Sequence, residues 1–226
     1  MNRIIYEDNH LIAVTKRSGE IVQGDKTGDK PLSEEIKSYL KTKYKKPGNV
    51  FLGTIHRLDR PTSGIVLFAK TSKSLSRMNE LFKNKKVQKT YFAVTENMPN
   101  KEKGVIISLL KKNQKQNKSY ITKSDGGKKS ELEYELIEKL QNYFLIKVNP
   151  KTGRHHQIRV QLAHLGCKIK GDVKYGAKRT NKDGSIHLFA RSLSFIHPVK
   201  KEKLIIRSNP PMDPLWNEMI NLEKAV

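Results

Sequence analysis

His56-Arg57-Leu58-Asp59-Arg60-Pro61-Thr62-Ser63-Gly64 leads directly into Ile65-Val66-Leu67-Phe68-Ala69. The second piece is an unbroken apolar run, and a buried strand is predicted from Gly64 to Thr71. The first is a connection that sets one acid among His56, Arg57 and Arg60. Nearby cations hold a carboxylate ionised. An ionised acid at a strand edge can act as a nucleophile or a base. A structural ion pair in a turn explains the same residues, and the nonamer alone leaves both readings open. A kinase catalytic loop is excluded. Leu58 separates Arg57 from Asp59, the downstream Asn is missing, and no Gly-rich phosphate loop precedes it.

Working outward, residues 4–7 and 11–16 predict two strands, followed by a Ser18-Gly19 turn. Pro31 opens a predicted helix with Leu32, Ile36, Tyr39 and Leu40 on one face. A loop surrounds Pro47-Gly48-Asn49, and residues 51–55 form a short strand. Ser72 is the expected N-cap of a helix carrying Leu75, Met78 and Phe82. Strands follow at 90–95 and 105–110, around Leu132, Tyr134 and Leu136, and at 143–148. A helix with Ile158, Leu162 and Leu165 on one face stops at Gly166. Turns at Gly171-Asp172 and Tyr175-Gly176, strands at 187–195 and 204–207, and a closing helix with Trp216 complete the chain. Many strands with few helices imply an α+β fold, a mostly antiparallel mixed sheet flanked by helices. No repeat or linker divides it, so residues 1–226 are expected to form one domain.

Residues 111–130 break the pattern. Lys111, Lys112, Lys115, Lys118, Lys123, Lys128 and Lys129 face only Asp125. This reads as a mobile basic loop or hairpin tip, and a solvated surface fits it as well as an RNA contact does.

The apolar runs are far too short to cross a bilayer. Glu7 and Asp8 interrupt the start where a signal peptide needs an apolar stretch. A soluble, cytoplasmic protein is expected. Cys167 is alone, which excludes an internal disulfide and a thiolate-rich zinc site, and it reads as a small buried side chain at a helix end. The net charge is +23, from 45 Lys plus Arg against 22 Asp plus Glu. Part of that reflects a Lys- and Asn-rich composition, but the excess favours a nucleic-acid partner. Charge supplies affinity and says nothing of chemistry.

A second group lies at Thr152-Gly153-Arg154-His155-His156-Gln157-Ile158-Arg159. Arg154 and Arg159 are expected to project from the start of a helix, suited to phosphate or to a buried carboxylate. His155-His156 is a poor metal site, since adjacent histidines on a helix diverge and no third ligand is spaced nearby.

Taken in order, the nonamer, Lys89-Thr90-Tyr91, the 152–159 group, Gly171-Asp172-Val173-Lys174-Tyr175-Gly176 and Leu193-Ser194-Phe195-Ile196-His197-Pro198 resemble the motifs of RluA-type pseudouridine synthases. The resemblance runs from about Tyr6 to Pro211. It implies a pseudouridine synthase catalytic fold with a central cleft. It also implies isomerisation of uridine in rRNA or tRNA with no metal, redox cofactor or ATP. Asp59 falls on the catalytic acid, Tyr91 on the tyrosine that stacks on the base, and Arg159 on the arginine paired with that acid. Leu188 matches an apolar pocket position. Arg57 falls on the residue that fills the space of a flipped-out base, with a phosphate clamp or a plain surface arginine as the alternative. His56, Arg60, Thr62, Ser63, Arg154 and Gln157 are expected on the RNA side. His155 and Gln161 depart from the usual Thr or Ser and His. The S4 domain of many relatives is not expected here, so the basic surface of the catalytic domain is expected to bind the RNA, with a monomer as the default. An RNA chaperone or assembly factor on the same fold, and a metal-free RNase using His56 with His155 or His156, are the competing classes.

Overall fold

The computed structural model describes residues 3–25 and 27–225, of which 220–225 enter as helix backbone. Met1 and Asn2, at the start read against a signal peptide, lie outside the described residues. In chain order the elements are β1 (Ile4–Glu7), β2 (Leu11–Lys16), α1 (Leu32–Lys43), β3 (Gly53–Thr54), β4 (Ser63–Ala69), α2 (Ser72–Lys83) and β5 (Gln88–Thr95). Then come β6 (Lys103–Asn113), β7 (Lys118–Thr122), β8 (Lys128–Lys139), β9 (Phe144–Pro150) and α3 (Gln157–His164). A single 3-10 turn (Val173–Tyr175), β10 (Leu188–Ile196), β11 (Lys203–Arg207) and α4 (Pro214–Ala225) finish the chain. This is an α+β fold. No helix among the described residues is long and apolar enough to span a membrane.

The chain forms two compact units. The first comprises Met1–Val87 and Arg191–Asn209. Its strands run antiparallel in the order β1-β2-β4, and β3 pairs with the Ala69 end of β4. Period-2 alternation gives β2 and β4 two apolar faces. Ile12, Val14, Val66 and Phe68 pack on Leu32, Ile36 and Leu40 of α1. Leu11, Ala13, Ile65 and Leu67 pack with Met78 of α2 and with Leu193, Phe195 and Ile206 of the β10–β11 hairpin. Thr71, one residue earlier than expected, caps α2 by accepting from Ser74 N at 3.1 Å.

The second unit comprises Gln88–Ala190 and Pro210–Val226, with strand order β5-β9-β8-β6-β7, all antiparallel. Ala93, Leu132, Ile146 and Val148 pack on Ile158 and Leu162 of α3, with Cys167 buried among them. Burial pushes the Cys167 thiol up to about 11, which keeps it protonated. Phe92, Val94, Leu145 and Phe189 receive Trp216 and Met219 from α4. The lysine-rich 111–130 segment is mostly strand: β6 continues to Asn113, β7 occupies 118–122, and β8 starts at Lys128. Lys111 and Lys112 at the end of β6, and Lys128 and Lys129 at the start of β8, hide these strand ends from a hydrophobic pattern.

Candidate active site

Asp59 lies in the connection from β3 to β4 of the first unit, partly exposed. The anchor of that connection is Lys16. It ends β2 opposite Gly64, shares a face with Ile12 and Val14, and is fully buried. Its ammonium donates to Arg17 O at 2.9 Å, Arg60 O at 3.0 Å and Thr62 O at 2.7 Å. Gly19 N donates to Arg60 O at 2.9 Å, Ser18 Oγ donates to Pro61 O at 3.1 Å, and Thr62 N closes a turn on Asp59 O at 3.0 Å. Each carbonyl from Asp59 to Thr62 therefore has a fixed donor, which sets the backbone that carries the carboxylate. Burial lowers the Lys16 ammonium to about 8, and the Glu20 and Asp59 carboxylates oppose the shift. At neutral pH Lys16 is thus a buried cation that feels the charge of Asp59. Lys16→Met takes the ammonium from three carbonyls, of which Arg60 O keeps Gly19 N, and is expected to cost about 2–4 kcal/mol. Hydrogen exchange at the Gly19 and Thr62 amides should quicken, and unchanged exchange there would sink the assignment of Lys16 as the anchor.

The other predicted residues of this unit have diverse surroundings. His56 Nε2 accepts from Leu67 N at 3.1 Å and its ring stacks on Phe82 at 5.3 Å. Arg60 pairs with Asp29 at 2.5 Å, and Arg57 is exposed. Thr62 and Ser63 are buried, and Thr62 Oγ1 has no hydrogen-bond partner among the described residues.

In the second unit Tyr91 stands on β5 opposite Val148 of β9, half-buried against the α3 core. Two residues earlier, burial depresses the Lys89 ammonium, which reaches Thr152 O at 3.4 Å. Arg159 is buried and bidentate: Nε meets Asp172 Oδ2 at 2.7 Å and Nη2 meets Oδ1 at 2.8 Å. Its guanidinium carbon lies 5.1 Å from the Tyr175 ring centroid. The Gly171-to-Gly176 motif is therefore the mount of Arg159. Gly171 has φ +87°, and a Cβ there would come within 2.6 Å of Ser185 O, so the turn that presents Asp172 requires glycine. Leu188 opens β10 and is buried in the same core as Ile158.

The helix begins later than predicted. His156 adopts φ 53°, a left-handed conformation, and separates the exposed Arg154 from α3. Only Arg159 of the two arginines lies in the helix, and Arg154 Nε donates to Lys129 O at 3.1 Å. Gln157 is buried, with Oε1 accepting from Thr152 Oγ1 at 2.7 Å and Arg154 N at 3.0 Å. The left-handed residue also brings the two histidine rings into a stack at 3.8 Å, in place of the divergence expected on a helix. His156 Nδ1 lies 2.9 Å from Tyr175 Oη, and burial, then the Arg159 charge, hold its pKa down at about 2. His155 ties to the β6–β7 hairpin, through Ser119 Oγ at 2.8 Å and Asn117 Oδ1 at 3.1 Å. Gln161 donates to Ser108 Oγ at 2.9 Å. Both departures from the usual motif are thus engaged with β6 and β7. Among the described residues, no three His, Cys, Asp or Glu side chains converge as metal ligands would.

Lys16 and Asp172 were missed as site residues. Each carried a signal, Lys16 as a cation on the inward face of an apolar strand and Asp172 as an acid beside a turn glycine in a basic chain.

A sequence profile described as RNA pseudouridylate synthase matches residues 10–164, well over half the chain. The Ribosomal large subunit pseudouridine synthase C of Buchnera aphidicola subsp. Acyrthosiphon pisum is 33% identical across 98% of this chain and 70% of its own length. The protein of the same name from Rickettsia felis is 43% identical across 77% of this chain and 56% of its own. Human RNA Pseudouridylate Synthase Domain Containing 4 superposes with a TM-score of 0.79 over 99% of this chain and 93% of that one, at 22% identity, and shares the fold. On the profile and the relatives together, the chain belongs to the RluA-type RNA pseudouridylate synthase family, a family of RNA isomerases.

Proposed function

We propose that this chain converts uridine to pseudouridine in ribosomal RNA, with Asp59 as the reactive carboxylate. The observation that carries the reading is the fastening of the Asp59 connection. Its carbonyls are fixed by Lys16, Ser18 and Gly19, which preorganises one acid in a basic chain. The ribosomal target follows the names of the relatives.

In the proposed reaction the uridine leaves its stack, at a cost of a few kcal/mol, and its ring lies against Tyr91. Asp59 acts near C1′ and C6, as nucleophile or base, while the N1–C1′ bond breaks and the C5–C1′ bond forms. Arg159, held by Asp172, contributes a fixed positive charge to the reaction. Arg57 enters the space that the base vacates. His56, Arg60, Thr62, Ser63, Arg154 and Gln157 support or contact the RNA around it, and Leu188 lines the base pocket. The +23 charge supplies sequence-independent affinity.

The test is tritium release from 5-[³H]uridine-labelled ribosomal RNA without added metal. Release with unchanged RNA length is expected. Bound RNA with no release would favour a chaperone, and shortened RNA a nuclease. Tyr91→Phe keeps the ring and loses the hydroxyl, so RNA affinity should stay within about twofold while turnover falls. A collapse of binding in that variant would show that Tyr91 has been misread.

A further inference from the structure

A cavity of about 650 Å³ lies in the second unit, bordered by Glu96 beyond β5, the β8–β9 turn and residues 178–181. Its volume is that of a small-molecule site. Lys170, Lys178 and Arg179 line it against one carboxylate, Glu96, whose two oxygens already accept from Lys178 N at 3.2 Å. Its positive charge therefore exceeds what the wall itself neutralises. The Tyr143 ring borders the same space, and the amides of Gln141 and Asn142 supply donors and acceptors. An aromatic face beside cations and amides suits a stacked base with its phosphate. An inorganic anion has no use for the ring.

We propose that this cavity is a second nucleotide subsite, which takes one unstacked nucleotide of the RNA with its phosphate on Lys178 and Arg179 and its base against Tyr143. The proposal rests on the reading that the chain acts on RNA. It would hold a nucleotide other than the one that reacts and so add register to a charge-driven encounter.

The molecule carries a reporter for this site. Lys170 Nζ donates to Asn181 Oδ1 at 2.6 Å, and Asn181 Nδ2 donates to His187 Nδ1 at 3.0 Å. The His187 ring stacks at 5.3 Å on Trp216, the single tryptophan of the chain. A ligand that engages Lys170 or Asn181 shifts the environment of that indole.

Adenosine 5′-monophosphate is the probe, with binding measured by equilibrium dialysis and Trp216 emission followed in parallel. Saturable binding with an emission change is expected in the wild type and in Asp59→Asn. It should weaken at least ~tenfold in Lys178→Ala/Arg179→Ala, two exposed positions where folding is not at risk. Inorganic phosphate should bind at least ~tenfold more weakly than the nucleotide, since it has no base to stack on the ring. With RNA substrate, the double variant should raise KM about tenfold at unchanged kcat and flatten the salt dependence of binding by one to two units of log–log slope, roughly one per lost phosphate contact. No nucleotide binding, equal binding by the double variant, or equal binding of phosphate would each overturn the proposal. Failure of the synthase reading shows differently, as wild-type protein that binds the nucleotide and releases no tritium.

Discussion

Asp59→Asn is expected to cut pseudouridine formation by about 10²–10⁴-fold, while the protein stays folded and RNA affinity changes little. The amide is isosteric with the carboxylate, so the turn closed by Thr62 N on Asp59 O and the carbonyls held by Lys16 keep their geometry. What is lost is the negative charge that attacks or takes a proton. Single-turnover tritium release with excess enzyme removes any contribution from binding. Full activity in Asp59→Asn would remove Asp59 from the chemistry. An internal control comes from Lys16. The Asp59 charge opposes the fall of its ammonium to about 8, so the variant should titrate Lys16 lower still.

Asp172→Ala is expected to produce the largest loss of stability, about 3–5 kcal/mol, measured by urea unfolding. The change deletes a bidentate carboxylate from a buried guanidinium. Domains of this kind have only about 5–15 kcal/mol in hand. Replacing both partners, as Asp172→Leu/Arg159→Met, removes the buried charge with its counter-charge. It should be more stable than Asp172→Ala yet inactive. That pattern separates the role of Asp172 in holding Arg159 from the role proposed for Arg159 in the reaction. If Asp172→Ala unfolds like the wild type, the pair contributes nothing to the fold.

Strands whose apolar alternation is plain, such as β1, β2 and β9, were legible within a residue or two. The strands of the lysine-rich hairpin were not, because alternation is masked where strand ends are covered in charge. The start of α3 was misplaced because a non-glycine left-handed residue, His156, has no compositional mark. Asp59 could be singled out from its neighbours' charge. Its anchoring could not, since the three carbonyls gripped by Lys16 come from backbone, which has no signature in residue identity. The carboxylate on Arg159 likewise stands 13 residues away and becomes a partner only through the glycine turn that presents it.

The way the chain divides between its two units has a consequence for its synthesis. Neither unit is continuous: the first needs Arg191–Asn209 and the second needs Pro210–Val226. When residue 87 has left the ribosome, β2, β4 and α2 exist as sequence, yet Leu11, Ile65, Leu67 and Met78 still lack Leu193, Phe195 and Ile206. The second unit likewise lacks Trp216 and Met219 until its last residues arrive. Domains usually fold as units, N-terminal first, as they emerge. Here both cores close only after the segments from Arg191 onward have been made, so the nascent chain carries open apolar faces until then.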